Sequence, residues 1–237
     1  MKTLARTMIY DPKPIRDFLT ISDNVKITFH PDEKVVFETL AESKVYYARL
    51  TVANPLQHDV PEEKSIIVET KPILRLLRNL AKDMVLELAL LESQTLLAVL
   101  NGASKFKLFV PEVYGTEIYK PEIQEELPFQ AIVNSDILAK ALAYVASLSD
   151  YTRIYRGETI LIVEGESNEG SSKPIVHIEP ETMNEEHIDV VIYEKIHTVV
   201  KKLSKLSDTC EITGGQDKPL RIRYADTAEL IISPGQR

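Results

Sequence analysis

The residues best placed to do chemistry form a row of four basic side chains in the segment 71–82. Side chains three and four positions apart lie on the same side of a helix. The row therefore projects from one side, opposite an apolar stripe that would face the core. The row is Lys71, Arg75, Arg78 and Lys82, and the stripe is Ile73, Leu76, Leu77 and Leu80. Such cations can neutralise phosphate, although a solvated surface is the commoner explanation for any single basic helix.

A second basic helix is predicted near the C-terminus. Lys201 and Lys205 lie one helical turn apart, nearly opposite an apolar stripe. That stripe consists of Ile196, Val199, Val200, Leu203 and Leu206. A basic row in a second helix favours a function for both rows over two unrelated solvated surfaces.

Two further predicted helices carry fewer cations. Lys13 and Arg16 lie in a short first helix with Pro12 and Pro14 at its start, where proline is tolerated. The third helix is predicted to begin with a capping residue at Asn134, Ser135 or Asp136. We expect its core side to be Ile137, Ala141, Tyr144, Val145 and Leu148, and its outer side to be Ala139, Ala143, Ala146 and Ser147 with Lys140 beside them.

No pattern of nucleophiles, acids or metal ligands indicates catalysis. The single cysteine, Cys210, lies in a predicted strand and is expected to be a small buried apolar residue. The five histidines lack the spacing of a metal site. Neither a nucleophile elbow nor a phosphate-cradling glycine loop stands out, and Gly214-Gly215 is more typical of a turn. We therefore predict a protein that is not an enzyme and that holds no metal or cofactor.

The charge of the chain is segregated. Its net charge is −8, which argues against a surface that coats DNA throughout. The acidic residues gather in loops, at 59–63, 122–126 and 181–186, whereas the basic residues concentrate in helices. No apolar run is long enough to span a membrane, and the N-terminus lacks the apolar core of a signal peptide. We expect a cytoplasmic protein, or a nuclear one if the source is eukaryotic, with no membrane partner.

A turn between a helix and a strand recurs four times, which indicates an internal repeat. Ser-Asp turns at Asp23, Asp150 and Asp208 follow predicted helices, and Asp83 is a looser fourth case. The nearly equal spacing of corresponding turns predicts two similar halves of two modules each. Strands with helices laid on them predict an α+β fold. We expect an N-terminal domain at 1–110, a connector at 111–127 and a C-terminal domain at 128–237.

The ordered set of elements resembles the sliding clamps of archaea and eukaryotes, the proliferating cell nuclear antigen family. The resemblance covers essentially the whole chain, and no single motif carries it. The matching segments are 40–45, the helix at 71–82, Ser149-Asp150 with Val163-Glu164-Gly165-Glu166, Lys218-Pro219-Leu220 and Ile231-Ile232-Ser233-Pro234. It implies three subunits closing into a ring around duplex DNA, with helices lining the hole and antiparallel sheets outside.

The resemblance implies a role for the basic residues and a set of partners. The residues that would face phosphate without reading bases are Lys71, Arg75, Arg78, Lys82, Lys140, Lys201, Lys205 and Lys13. Clamps bind short peptides of DNA polymerase, clamp loader, flap endonuclease and DNA ligase, so the chain would act as a processivity factor in DNA replication and repair. The peptide pocket would use Leu40, Val45, Ile118, Tyr119, Pro219, Ile231 and Pro234.

The family also joins its subunits edge to edge, through one strand from each domain. These strands map to Lys105–Val110 and Ile175–Ile178, with Lys105, Lys107, Phe109, Ile175 and His177 at the contact. Pairing would cover edges that otherwise favour aggregation. The ring would be either a homotrimer or a heterotrimer with clamp paralogues.

The sequence departs from the family pattern near the pocket and in the first helix. Ala41 stands where an Asp is usual, and the end, Ser233-Pro234-Gly235-Gln236-Arg237, lacks the usual Ala-Pro followed by a basic residue. These departures favour a specialised or checkpoint-type subunit that assembles only with paralogues as the alternative to a self-assembling clamp. A third alternative is an unrelated α+β enzyme.

Overall fold

A computed structural model describes residues 2–80, 83–123, 126–165 and 173–234. The contacts divide the chain into two compact units. Unit 1 comprises residues up to 40 and 49–120, and unit 2 comprises 41–48 and residues from 121 onward. The change from one unit to the other between Lys120 and Pro121 falls within the expected connector; the predicted domain boundaries stay a prediction.

The first half of the chain contains nine strands and two helices among its described residues. They are β1 Thr3–Tyr10, α1 Lys13–Leu19, β2 Asn24–His30, β3 Lys34–Leu40, β4 Tyr46–Ala53, β5 Gln57–Asp59, β6 Lys64–Glu69, α2 Thr70–Leu77, β7 Val85–Leu91, β8 Thr95–Asn101 and β9 Phe106–Pro111. Five strands form an antiparallel sheet in the order β5-β1-β7-β8-β9, and the others follow the order β4-β3-β2-β6. Helix α2 contacts α1, β8 and β9.

The second half is built in the same way. Its elements are β10 Phe129–Asn134, α3 Ser135–Leu148, β11 Thr152–Arg156, β12 Leu161–Glu164, β13 Ile175–Ile178, β14 Thr182–Met183, β15 Asp189–Ile192, α4 His197–Leu203, a 3-10 turn Ser204–Leu206, β16 Thr209–Gly214, β17 Leu220–Tyr224 and β18 Ala228–Ile232. The strands run in the orders β14-β10-β16-β17-β18 and β13-β12-β11-β15. Helix α3 contacts α4, the 3-10 turn and strand β13. The predicted α+β fold of antiparallel sheets and four helices is confirmed.

All four predicted helix-to-strand modules are present, and the turns also anchor helices. In unit 1 the amide of Thr70, the first residue of α2, donates to the carbonyl of Asp23 at 2.9 Å. In unit 2 the amide of Ser135, the first residue of α3, donates to the carbonyl of Asp208 at 2.9 Å. Each turn thus satisfies a helix N–H that has no partner inside its own helix, and it fixes where that helix begins.

Helix α2 ends earlier than predicted. It stops at Leu77, with Arg78 as its C-cap, although the predicted helix continues to Lys82. The amides of Asn79 and Leu80 donate to the carbonyls three residues before them, at 3.3 and 3.1 Å, so the end of the helix tightens. Asp83 then adopts a positive φ of 61° at the start of the turn into β7.

The prediction for the core side of α3 was wrong for three side chains. Ile137, Tyr144 and Leu148 are 49%, 52% and 45% exposed. Ala139, expected on the outer side, is buried. The buried stripe instead consists of Leu138, Ala139, Ala141, Leu142 and Val145. The side chain of Asn134 caps the helix by accepting from the amides of Asp136 and Ile137 at 3.1 and 3.0 Å.

No helix among the described residues is long and apolar enough to cross a membrane.

Candidate functional site

Helix α2 presents the most basic surface of unit 1. The side chains of Ile73 and Leu77 are buried, which turns Lys71, Arg75 and Arg78 outward, and all three are exposed. Lys71 Nζ lies 3.1 Å from Asp23 Oδ1, so its charge is already partly balanced. The two arginines form none of the ion pairs found between described residues, and they remain available to an anion from outside. The fourth predicted member of the row, Lys82, lies outside the described residues.

Helix α4 and the 3-10 turn after it form the basic surface of unit 2. Val199, Val200 and Leu203 are buried, whereas Lys201 and Lys205 are exposed. Burial, followed by the charges of Lys195 and Lys201, lowers the pKa of His197 at the start of α4. His197 is therefore neutral at pH 7 and adds no charge to this surface.

Helices α1 and α3 present weaker positive surfaces. Lys13 is exposed at the start of the seven-residue α1. Lys140 is exposed on α3, but its Nζ lies 2.6 Å from Asp136 Oδ2 one turn earlier. The sequence reasoning missed this acid, although an Asp and a Lys four residues apart on a helix are a recognisable pairing signal. Among the described helices, exposed cations are therefore most numerous on α2 with its C-cap and on α4 with its 3-10 turn.

The two strands predicted to join subunits each form the free edge of a sheet. Strand β9 pairs only with β8, and β13 pairs only with β12, among the described strands. On β9, Phe109 is 54% exposed, and Lys105 just before the strand and Lys107 within it are exposed. On β13, Ile175 is 47% exposed, and His177 is also exposed. Exposed apolar groups on an unpaired edge are typical of a surface that pairs with another chain.

Part of the predicted peptide pocket is brought together within unit 2. The amide of Ser233 donates to the carbonyl of Val45 at 2.8 Å, which ties the C-terminal segment to the turn at 41–45. Ser43 Oγ in the same turn donates to Glu194 Oε2 at 2.7 Å. Val45, Pro219 and Pro234 are half-buried, whereas Ile231 is buried.

The other predicted pocket residues belong to unit 1. Leu40 is half-buried at the end of β3. Ile118 is buried, and its neighbour Tyr119 is 50% exposed. Of this adjacent pair in the connector, Tyr119 is thus the side chain open to a ligand.

The described residues contain no cluster of three side chains able to hold a metal ion. Burial raises the pKa of Cys210 to about 11, which makes this thiol a poor nucleophile at neutral pH.

Comparison with known proteins gives likenesses along nearly the whole chain. No family model matches it. A curated relative, DNA polymerase sliding clamp 3 of Sulfurisphaera tokodaii, is 24% identical over 207 residues, covering 86% of this chain and 81% of that protein. A chain in the crystal structure of a PCNA2–PCNA3 complex from Sulfolobus tokodaii matches with a TM-score of 0.84 and 20% identity, covering 97% of this chain and 98% of that one. PCNA of A. fulgidus, solved with the C-terminal region of FEN-1 bound, matches with a TM-score of 0.78 and 17% identity, covering 98% and 99%.

Proposed function

We propose that this chain, whose fold is that of the DNA sliding clamps, is a ring subunit that encircles duplex DNA and tethers replication and repair enzymes to it. The resemblance predicted from the sequence is confirmed by the matches to sliding clamps. The observation that carries the proposal is that α2 with its C-cap and α4 with its 3-10 turn expose Lys71, Arg75, Arg78, Lys201 and Lys205 on their outer sides in a chain of net charge −8. In a clamp ring these helices would line the hole.

The DNA contact would be electrostatic and independent of base sequence. Lysine and arginine side chains on a helix surface reach phosphate oxygens, which set position and carry no sequence information. Arg75, Arg78 and Lys201 would supply the main contacts, with Lys205 beside them. Lys71 and Lys140 would contribute less because each has a carboxylate within 3.1 Å. Lys13 would contact DNA only from the first position of the short helix α1. Lys82 completes the proposed set.

The chain would act without catalysis of its own. Its relatives by fold are clamps, and the proposed activity is to hold other enzymes on DNA by topology. The buried, weakly acidic thiol of Cys210 supports this proposal because it excludes the single cysteine as an activated nucleophile.

Subunits would join through β9 of one chain and β13 of the next, with the 111–127 segment linking the two clamp domains. The proposed contact residues are Lys105, Lys107, Phe109, Ile175 and His177. Two free edges on one chain allow a closed ring, because each subunit then offers one edge to each neighbour. The ring would be a homotrimer or, as the second candidate, a heterotrimer. The similarity to a chain from a PCNA2–PCNA3 complex is the observation that supports the heterotrimer.

Partner enzymes would dock short peptides into the pocket formed by Leu40, Val45, Ile118, Tyr119, Pro219, Ile231 and Pro234. The similar PCNA of A. fulgidus binds the C-terminal region of FEN-1 in its solved structure. By analogy we propose that flap endonuclease, DNA polymerase, DNA ligase and the clamp loader are partners here. Tyr119 supports the pocket because it is half exposed beside the buried Ile118.

A primer-extension assay tests the proposed function. Polymerase, clamp loader and the assembled ring from the source organism are combined on a singly primed circular template. We expect the ring to lengthen the products made in one binding event. The variant Tyr119→Ala should reduce this stimulation, and Leu56→Ser, which truncates another exposed side chain of unit 1, should not. A ring that assembles but leaves product length unchanged would contradict the proposal.

A further inference from the structure

A carboxylate that the sequence patterns did not single out, that of Glu194, lies at the rim of the predicted peptide pocket in unit 2. Its Oε2 atom accepts a hydrogen bond from Ser43 Oγ at 2.7 Å, in the turn at 41–45. The amide of Ser233 ties the C-terminal segment to the same turn, because it donates to the carbonyl of Val45 at 2.8 Å. Val45 and Pro234, which follows Ser233, belong to the predicted pocket and are half-buried. A charged group therefore stands next to apolar pocket residues.

The backbone is held in place on both sides of this contact. The amide of Ile196 donates to the carbonyl of Glu194 at 2.8 Å, in the short link between β15 and α4. In the facing turn the amide of Lys44 donates to the carbonyl of Ala41 at 2.8 Å. The amide of Ala41 in turn donates to the carbonyl of Tyr46 at 2.9 Å. A carboxylate fixed in this way is preorganised, so a ligand that binds it loses little free energy in ordering it.

The charge of Glu194 is not balanced by any cation of the described residues. The side chain is half-buried, and the nearest cations in sequence, Lys195 and the Lys44 that follows Ser43, are exposed. None of the ion pairs between described residues includes Glu194. Burial, followed by the negative charge of Glu194, raises the pKa of Tyr46. A carboxylate has about four acceptor sites, so the bond from Ser43 leaves room for a donor from another molecule.

The donor that suits this carboxylate best is a basic side chain of a bound peptide. A peptide that fills the apolar pocket would exclude water from the rim, and an ion pair gains strength where water is partly excluded. A peptide with a neutral or acidic residue at that point would instead leave the carboxylate desolvated and without a partner, which opposes binding. Unfavourable contacts of this kind are a common source of discrimination between partners.

We propose that Glu194 selects clamp-binding peptides that carry a lysine or arginine at the position facing it. Ser43 is a positioning residue, because its hydroxyl holds one carboxylate oxygen and leaves the other to the peptide. Apolar residues of the peptide fill the pocket, and the basic residue distinguishes one partner enzyme from another. This inference rests on the proposed function, since it specifies which peptides the proposed pocket prefers.

Fluorescence anisotropy of labelled peptides with the full chain tests the proposal at physiological salt. The probe is the C-terminal peptide of the flap endonuclease from the source organism, which is one of the partners proposed above. Each polar position of the peptide is replaced in turn by lysine and by glutamine. At one position we expect the lysine peptide to bind at least about fivefold more tightly than the glutamine peptide, the upper end for an exposed ion pair.

Variants separate recognition by Glu194 from a structural role in the turn. Glu194→Gln removes the charge but keeps an oxygen that can accept from Ser43 Oγ, and it should abolish the preference for lysine. Ser43→Ala removes the hydrogen bond but keeps the charge, so the preference should persist. The matched control Glu158→Gln removes another carboxylate of unit 2, an exposed one, and should leave the preference unchanged. Glu194→Lys should reverse the preference, so that a glutamate peptide binds more tightly than the lysine peptide.

A lysine preference that survives Glu194→Gln would overturn the inference. So would its loss in Ser43→Ala, because Glu194 would then act only through the turn. An equal gain from lysine at every position would also overturn it, because attraction to the net negative charge of the chain would explain that result. If the peptides bind in any of these cases, the proposed pocket stands and the inference alone fails. If no peptide binds the wild-type chain or its assembled ring, both fail.

Discussion

Replacing the cations that have no partner among the described residues should weaken DNA binding in a way that salt makes measurable. The perturbation is the triple variant Arg75→Ala, Arg78→Ala and Lys201→Ala in every copy of this chain. For B-DNA the logarithm of the binding constant falls with the logarithm of salt concentration by about 0.9 for each phosphate neutralised. If all three side chains contact phosphate, the slope should therefore become shallower by about 3 for each copy of the chain that contacts the duplex.

The paired lysines provide an internal comparison. Lys71 and Lys140 lie 3.1 and 2.6 Å from carboxylates, and to bind phosphate each must give up that pair. Exposed ion pairs are worth about 0–1 kcal/mol, so these lysines should contribute less to the slope than the unpaired arginines do, but more than zero. Lys71→Ala and Lys140→Ala should each change the slope by less than Arg75→Ala does.

The assay is fluorescence anisotropy of the assembled ring with a short linear duplex across a series of salt concentrations. Lys34→Ala is the matched control, because it removes one cation from the β2–β3 hairpin, where Lys34 pairs with Asp32. Light scattering verifies that each variant still assembles. A triple variant with the wild-type slope, or a Lys34→Ala slope altered as much as that of Arg75→Ala, would refute the assignment of these helices to DNA.

Contacts in unit 2 give three stability predictions. Gly165→Ala should lower the free energy of unfolding by about 1–3 kcal/mol in urea denaturation, because a Cβ there would lie 2.5 Å from Ser149 Cβ; Gly102→Ala, which meets only the flexible end of Met84, should cost less. Asp189→Asn should lower the free energy of unfolding by about 1 kcal/mol, since Arg153 donates to both Asp189 oxygens at 2.7 Å. As a control, Glu62→Gln should leave the free energy of unfolding unchanged, because Glu62 pairs with Lys64 at 2.7 Å on the exposed surface. Burial raises the pKa of Cys210 to about 11, so the contribution of this thiol to stability is full below about pH 9 and declines between about pH 9 and 11. The thermal midpoint of Cys210→Ala should therefore fall less steeply with pH in that range than the midpoint of the wild type. Equal slopes for the two proteins would contradict the burial of this thiol.

The modular part of the fold could be predicted because each module is encoded locally. The Ser-Asp turns mark the junctions, and the apolar stripes of α2 and α4 are continuous. Ile73, Leu77, Val200 and Leu203 are all buried as the helical spacing predicts. The same local logic correctly predicted the exposure of Arg75, Arg78 and Lys201.

Helix α3 shows where local pattern is insufficient. Its alanines fit a buried or an exposed side equally well, so the larger side chains decided the predicted stripe. In the structure α3 contacts α4, Ala139 and Ala141 are buried, and Ile137, Tyr144 and Leu148 are left half exposed. Which flank is covered depends on the position of another helix much later in the chain.

Ion pairs explain why two of the lysines predicted to face DNA, Lys71 and Lys140, are weaker candidates in the structure than in the sequence. Lys71 and Asp23 are distant in sequence and meet only because the Asp23 turn anchors the start of α2. The pair of Lys140 with Asp136 is local and could have been predicted. A basic residue on a helix therefore indicates a candidate DNA contact, and its carboxylate neighbours decide how strong that contact is.

Retention on circular DNA tests the central claim most directly. The assembled ring, labelled on this chain, is placed on nicked circular duplex by the clamp loader, washed in high salt and then challenged with a restriction enzyme that cuts the circle once. A ring that encircles DNA is held by topology, so we predict that it survives the wash on circles and is released when the circle becomes linear. Loss of the chain from circles in high salt, or its retention on cut DNA with free ends, would contradict the account.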